Sequence, residues 1–218
     1  MMFLRRPSPS AIDRFLRESR DLPLSYGPVG IANDNNAATP AHHHAGRRVD
    51  EQVVTIGRGE RDLSRACAAL LAWSQFDIGW VELFPRHAPI HPGTVVGVLI
   101  RHLGMWSLNG CRVVYTLGDD RSRFGFAYGT LTNHEEAGEE LFEVFLDPQT
   151  DEVRYRIRAI SWPYATIAHV GQPIVRMLQR RFRRDSALAM QLTPEVPKVP
   201  EVPRVPEVPV PGSQNQEP

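Results

Sequence analysis

The chain has 218 residues, 42% of them hydrophobic, enough for one ordinary domain with a real core. Its 25 basic and 25 acidic side chains cancel, so it lacks the overall positive field that draws proteins onto nucleic acid, which is excluded as a default partner. No window approaches the ~20 apolar residues of a membrane span, the opening MMFLRRPSPS is too short in apolar residues for a signal peptide, and Cys67 and Cys111 make no disulfide framework, so a soluble, cytoplasmic protein is expected.

Ser8 to Ser19 reads as a short amphipathic helix, with Ser10 and Asp13 spaced as a capping box and Ile12, Phe15 and Leu16 on one face. From Gly27 to Arg47 the chain is rich in Gly, Asn, Ala and Pro, the composition of a flexible surface loop. His42, His43 and His44 fall inside it, and neighbours on such a loop do not converge on one metal ion without further ligands. A strand over Val49 to Ile56 follows. The next segment, Glu60 to Trp73, sets Leu63, Ala66, Cys67, Leu70 and Leu71 at helical spacing. The GRGE between them lacks the spacing of a phosphate loop.

Six further strands are predicted: Ile78 to Phe84, Thr94 to Leu103, Trp106 to Leu117, Arg123 to Leu131, Glu139 to Asp147 and Glu152 to Ile160. Alternation is clearest in the last, where Val153, Tyr155, Ile157 and Ala159 face one way and Arg154, Arg156 and Arg158 the other. Short connections favour an antiparallel meander. After Trp162-Pro163 the period changes, and Ile174, Met177, Leu178, Phe182 and Leu188 mark a long closing helix whose other face carries Arg176, Arg180, Arg181, Arg183 and Arg184. From Pro194 the repeat PEVPKVPEVPRVPEVPVP has the three-residue period of polyproline II, a solvated spacer or a ligand for a proline-recognising partner.

Strand, helix, strand meander and long helix, in that order, make an α+β helix-grip architecture: a curved antiparallel sheet wrapped around a C-terminal helix. The expected organisation is an N-terminal helix and arm (1–26), a flexible loop (27–47), the helix-grip domain (48–192) and a disordered Val-Pro tail (193–218). Sheet and helix in this arrangement often leave a cavity, which Trp106, Phe124, Phe126, Tyr128, Phe142, Tyr155, Trp162 and Met177 could wall.

RRPSPSAIDRFL, GRGE with its helix, GWVEL, RHLGMWSLNGCRVVY, RFGFAYGTL, HEEAGEE and LQRRFRRDS occur in this order. Together they resemble the domain of unknown function nineteen-ninety family of bacterial and plant proteins, over residues 1 to about 192. The resemblance implies a fold similar to the START and birch-pollen-allergen superfamily and carries over no catalytic residue. The histidine-bearing loop and the Val-Pro tail are extra to the family pattern.

The polar residues set in or beside the strands are the candidate ligand-binding site: Arg101, His102, Trp106, Asn109, Arg112, Tyr128, His134 and Glu139. In one reading Arg101 or Arg112 anchors an acidic or carbonyl group of a small hydrophobic or amphipathic molecule while Asn109 and Tyr128 orient it. In a second, His134 or His102 works as an acid or base near Glu139 or Glu140, as in a cyclase or hydrolase. Glu139 and Glu140 point to opposite faces of one strand, so at most one enters a cavity. In a third, structural reading Arg101, His134 and Glu139 form an ion-pair network between hairpins; separately, the protein could act through a partner bound to its proline-rich tail. No cofactor is expected. His87, His91 and His102 lack the spacing of a metal site.

Overall fold

The computed structural model of the protein describes residues 1–33, 47–118, 122–163 and 168–191. His42, His43 and His44 and the Val-Pro tail lie outside the described residues. In chain order come β1 (Met2–Phe3), α1 (Pro9–Ser19), β2 (Arg48–Arg58), α2 (Gly59–Leu71), a single 3₁₀ turn (Ser74–Phe76), β3 (Val81–Phe84), β4 (Val95–His102), β5 (Met105–Gly118), β6 (Arg123–Thr130), β7 (Glu136–Leu146), β8 (Glu152–Pro163) and α3 (Ala168–Gln191).

All strands join one antiparallel sheet in the order β2-β8-β7-β6-β5-β4-β3, with β1 on the edge of β5 that β6 leaves free. The sheet has two unlike faces, because successive side chains alternate. Inward go Val96, Val98, Cys111, Val113, Phe126, Tyr128, Phe142, Val144, Val153, Tyr155 and Ile157, which pack with Leu63, Ala66 and Leu70 of α2 and Ala187 and Met190 of α3. Trp73 and Phe76 fill the centre, their rings 4.8 Å from Phe126 and 5.7 Å from Phe142. This is the α+β helix-grip fold.

The outer face is covered by the N-terminal arm. Ile12 and Phe15 of α1 bury Leu99 and Leu108. The cap of α1 is Ser8, two residues before the expected Ser10: Pro9 takes the first helical position, and Ser8 Oγ accepts the Ala11 N–H at 3.3 Å. Residues 20–33 then run across β5, β6 and β7. Ala32 packs on Ala127 and Leu141, and Tyr26 lies on Gly129, where a side chain would collide with its ring. Residues 27–33 therefore belong to the packed arm, although their composition reads as loop.

A bulge at Val114 shifts the register of β5 and reverses its alternation, so Tyr115 and Leu117 join the outer face instead of following Val113 inward. β7 starts at Glu136, three residues before the expected strand, because the Thr130 hydroxyl accepts from Gly138 N–H and donates to Gly138 C=O, holding the glycine in register. On α3 the inward stripe is Leu178, Phe182, Ser186 and Met190, flanked by Gln179, Arg183 and Ala187. Ile174, Met177 and Leu188, expected on that stripe, are exposed, as is Leu71 of α2.

Candidate functional site

Between the inner face and α3 lies a cavity of about 340 Å³. Its walls include Phe76, Trp80, Val98, Ile100, Leu178 and Phe182. It exists because the inner positions nearest one end of β5, β6 and β7 are polar or small (Ser107, Asn109, Thr130, Gly138), so the sheet cannot meet α3 there as it does at the Phe126 and Phe142 end. Exposed Leu103, Glu135 and Ile174 mark its open end. A shallower groove of about 660 Å³ adjoins it across Trp80, His102 and Leu103.

Strand parity decides where each predicted site residue goes. His102, Asn109 and Tyr128 are inward and His134, on the β6–β7 loop, reaches the same cavity. Arg101 is on the outward parity of β4, its guanidinium 5.9 Å from the Trp106 ring, and borders only the groove. Trp106 packs with α1 on the outer face. Arg112 donates to the carbonyls of Arg20 and Leu22 at 2.8 and 2.9 Å, holding the arm in place.

Glu139 sits at the cavity margin, but its carboxylate turns outward into a full set of donors. The Tyr26 hydroxyl (2.6 Å), Gly30 N–H (2.8 Å), Ala32 N–H (2.9 Å) and Tyr115 hydroxyl (2.9 Å) all reach it. The expected Arg101–His134–Glu139 network does not form. The outer-face network is instead Arg123, Glu143, Arg156, Glu51 and Arg158.

The carboxyls of the cavity are Glu136 and Glu140, on the inner face of β7 with Gly138 between them. Glu140 Oε2 accepts the Tyr128 hydroxyl at 2.7 Å, and no protein donor among the described residues meets its Oε1. Both Glu136 oxygens accept from Gln179 Nε2, at 3.2 and 2.9 Å. Burial pushes each carboxyl up to about 7. The Gln179 hydrogen bond opposes this at Glu136, the Tyr128 hydrogen bond and Arg183 at Glu140. Burial likewise holds the Tyr128 phenol well above its ordinary range. Arg183, nearly buried on α3, is engaged by Asp50 at 3.3 Å, and Asp50 is also paired with Arg48.

His134 accepts the Glu136 N–H on Nδ1 at 2.9 Å, which leaves the proton of the neutral ring on Nε2. Burial, and secondarily the Met1 ammonium, push its pKa down to about 4. On β4 and β5, His102 Nε2 and Asn109 Nδ2 share Ser107 Oγ at 3.2 and 3.4 Å. His102 Nδ1 and Asn109 Oδ1 are left buried without a partner. A buried polar atom without a partner costs about 1–3 kcal/mol, so such atoms facing a cavity are informative.

Sequence reasoning missed Glu136, Ser107, Gln179, Phe76 and Trp80. Parity with Glu140 could have found Glu136 once the strand was extended past Gly138. The others are placed by tertiary packing.

The family model for "Domain of unknown function (DUF1990)" matches residues 25–189. A UPF0548 protein of Dictyostelium discoideum is 30% identical over 205 residues, covering 87% of this chain and 94% of that one. One from Deinococcus radiodurans is 34% identical over 199 residues, covering 86% and 96%. Among solved structures, the Zhui aromatase/cyclase of Streptomyces is similar with a TM-score of 0.47 at 14% identity, covering 66% of this chain and 92% of that one. Ara h 8.0201 gives 0.42 at 14% identity, covering 66% and 99%. Matched over most of its length by the family model and aligned almost end to end with these relatives, the chain belongs to the DUF1990 family.

Proposed function

We propose that the protein binds a small hydrophobic or amphipathic molecule in the cavity between the sheet and α3. The observation that carries this reading is a void of about 340 Å³, within the range of small-molecule sites (roughly 300–1,000 Å³), walled by Phe76, Trp80, Leu178 and Phe182. The unpartnered Asn109 Oδ1 and His102 Nδ1, on residues that line the cavity, support it. His102, Asn109, Tyr128 and His134 are the orienting groups, joined by Glu140.

Binding is favoured over catalysis because no carboxylate contacts either the His102 or the His134 ring among the described residues, so neither ring has the charged partner that would strengthen it as a base. A cytoplasmic setting agrees with two free cysteines, one of them buried.

The test uses the uncharged fluorescent probe N-phenyl-1-naphthylamine and the variant Val98→Phe, whose larger ring projects into the void. The wild type should bind the probe with a blue-shifted emission, and Val98→Phe should lose binding at least tenfold while melting within a few degrees of wild type, because the ring enters free space. Equal binding by a well-folded Val98→Phe would overturn the reading.

A further inference from the structure

The inward polar atoms of the cavity are unbalanced in kind. Glu140 Oε1 and Asn109 Oδ1 are acceptors without a donor among the described residues, and His102 Nδ1, also without a partner, gives or accepts according to its tautomer. The two acceptors stand on neighbouring regions of β7 and β5, so the imbalance is not confined to one acidic cluster. Asn109 is 3% exposed and stands on β5, two strands away from Glu136 and Glu140 on β7.

The charges are unbalanced as well. The lining carries Glu135, Glu136, Glu139 and Glu140, of which Glu139 is already satisfied on the outer side, and its one arginine among the described residues, Arg183, is engaged by Asp50. The second cation nearby, Arg48, is also on Asp50. His134 is held neutral, with its only ring proton on Nε2. The Met1 ammonium near the mouth donates to the Leu108 carbonyl and lies beside Glu135, so an anionic head group would find no uncommitted side-chain cation along the lining. A cation would find a carboxyl oxygen turned toward it in a low-dielectric enclosure, where a charge pair is much stronger than in water.

We propose that the molecule held in this cavity is an amine, its protonated nitrogen donating to Glu140 Oε1 and its apolar body lying against Phe76, Trp80 and Phe182. The assignment rests on the cavity-binding reading above and narrows it to one class of ligand. Gly138, which carries no side chain, leaves the stretch of β7 between Glu136 and Glu140 open. The Tyr128 hydroxyl on Oε2 aims the remaining oxygen of Glu140.

The pH dependence follows from the groups facing Glu140: Tyr128 on β6, Tyr155 on β8, Asp50 with Arg48 on β2, Arg183 and Gln179 on α3, Glu136 on its own strand, and His134 with Glu135 and the Met1 ammonium at the mouth. Of these, Glu136 and Glu140 change charge near neutrality, each titrating at about 7. An alkylamine keeps its proton until about pH 10, so its binding strengthens as the carboxyl ionises.

The experiment is calorimetric titration of the full chain with octylamine, octanol and octanoate at pH 6 and pH 8, in wild type and Glu140→Gln. Octylamine is expected to bind at least about tenfold more tightly than octanol or octanoate at pH 8, with the preference shrinking at pH 6 and falling below about threefold in Glu140→Gln. Octanol binding should persist in that variant, which shows that its cavity is intact. Octanol or octanoate matching octylamine in the wild type, or an undiminished preference in Glu140→Gln, would overturn the amine assignment and leave cavity binding standing. Binding of none of the three would remove both.

Discussion

Glu139 and Glu140 are adjacent in sequence and opposite in consequence. The Glu139 carboxylate receives four donors from Tyr26, Gly30, Ala32 and Tyr115, two of them backbone N–H groups that have no water to turn to. Glu139→Gln replaces an acceptor oxygen by an NH₂ that faces donors, so it should lower unfolding free energy by at least ~2 kcal/mol in urea denaturation while leaving probe binding in the cavity unchanged. Glu140→Gln should do the reverse, with small loss of stability and altered binding.

The two cavity carboxyls also fix a pH signature. Their folded-state pKa of about 7 lies above the unfolded value near 4.5, so the folded state binds more protons between these values. The stability they contribute is complete below about 4.5 and is lost as pH rises through about 7. His134, lowered to about 4, and the Met1 ammonium, also lowered by burial, work in the other direction, but the effect of His134 is confined to pH below about 6.5 and above it one amine opposes two carboxyls. The melting temperature should therefore fall between pH 6.5 and 8, and the double variant Glu136→Gln, Glu140→Gln should flatten that fall. A wild-type curve that is level or rising over this window would show that these carboxyls do not hold their protons.

At the scale of elements, α3 is fastened to the sheet by a few polar bonds around its apolar stripe. Tyr155 hydroxyl and Ser186 Oγ are 2.9 Å apart with both groups buried, Arg183 reaches Asp50 of β2, and Trp80 Nε1 donates to Asp185 at 2.9 Å beneath the Arg181 guanidinium. Tyr155→Phe leaves the Ser186 hydroxyl without its partner and should cost about 1–2 kcal/mol by thermal or denaturant unfolding. The double variant Tyr155→Phe, Ser186→Ala should recover part of that loss, since it removes both ends of the bond.

The elements themselves were legible in the sequence, because period-2 and period-3.6 patterns are imposed by burial on one face. All six strands after α2 appear within a few residues of the predicted spans. What the pattern could not supply was which parity faces inward. Arg101 and His102, or Trp106 and Asn109, cannot share a face, yet all four are plausible binding residues by chemistry alone. One anchor, such as the buried run Phe126, Tyr128 and Thr130 packed under the 3₁₀ turn, settles the parity of β6 and, through the register, of β4, β5 and β7. The α3 stripe was harder. Its inward side carries the half-buried Gln179 and the buried Arg183 and Ser186, polar residues tolerated there because Glu136, Asp50 and Tyr155 give them partners.

For the molecule as a whole, the sheet is clasped from both sides: α2 and α3 on the inner face, the arm of residues 1–33 on the outer. The arm is joined at many points, including Met1 to Leu108, Ser25 to Thr130, Asn133 to Ser19 and Arg112 to the 20–22 backbone. Removing residues 1–33 would uncover Leu99, Leu108, Ala127 and Leu141, and strip Glu139 of three of its donors. The shortened chain should lose cooperative unfolding or aggregate, as followed by circular dichroism and size-exclusion chromatography. Among the described residues no helix is long and apolar enough to cross a membrane.

The bulge at Val114 makes β5 a strand with two allegiances. Up to Val113 its odd-numbered side chains furnish the interior chamber; beyond the slip they become outside cladding, and Tyr115 can reach around to Glu139. Were that extra residue absorbed into strict alternation, everything after it would trade sides: Thr116 would swing out, Tyr115 and Leu117 would be driven in among Phe126 and Phe142, and the arm would lose its foothold. One supernumerary residue thus lets the same ribbon build a chamber at one end and its outer casing at the other.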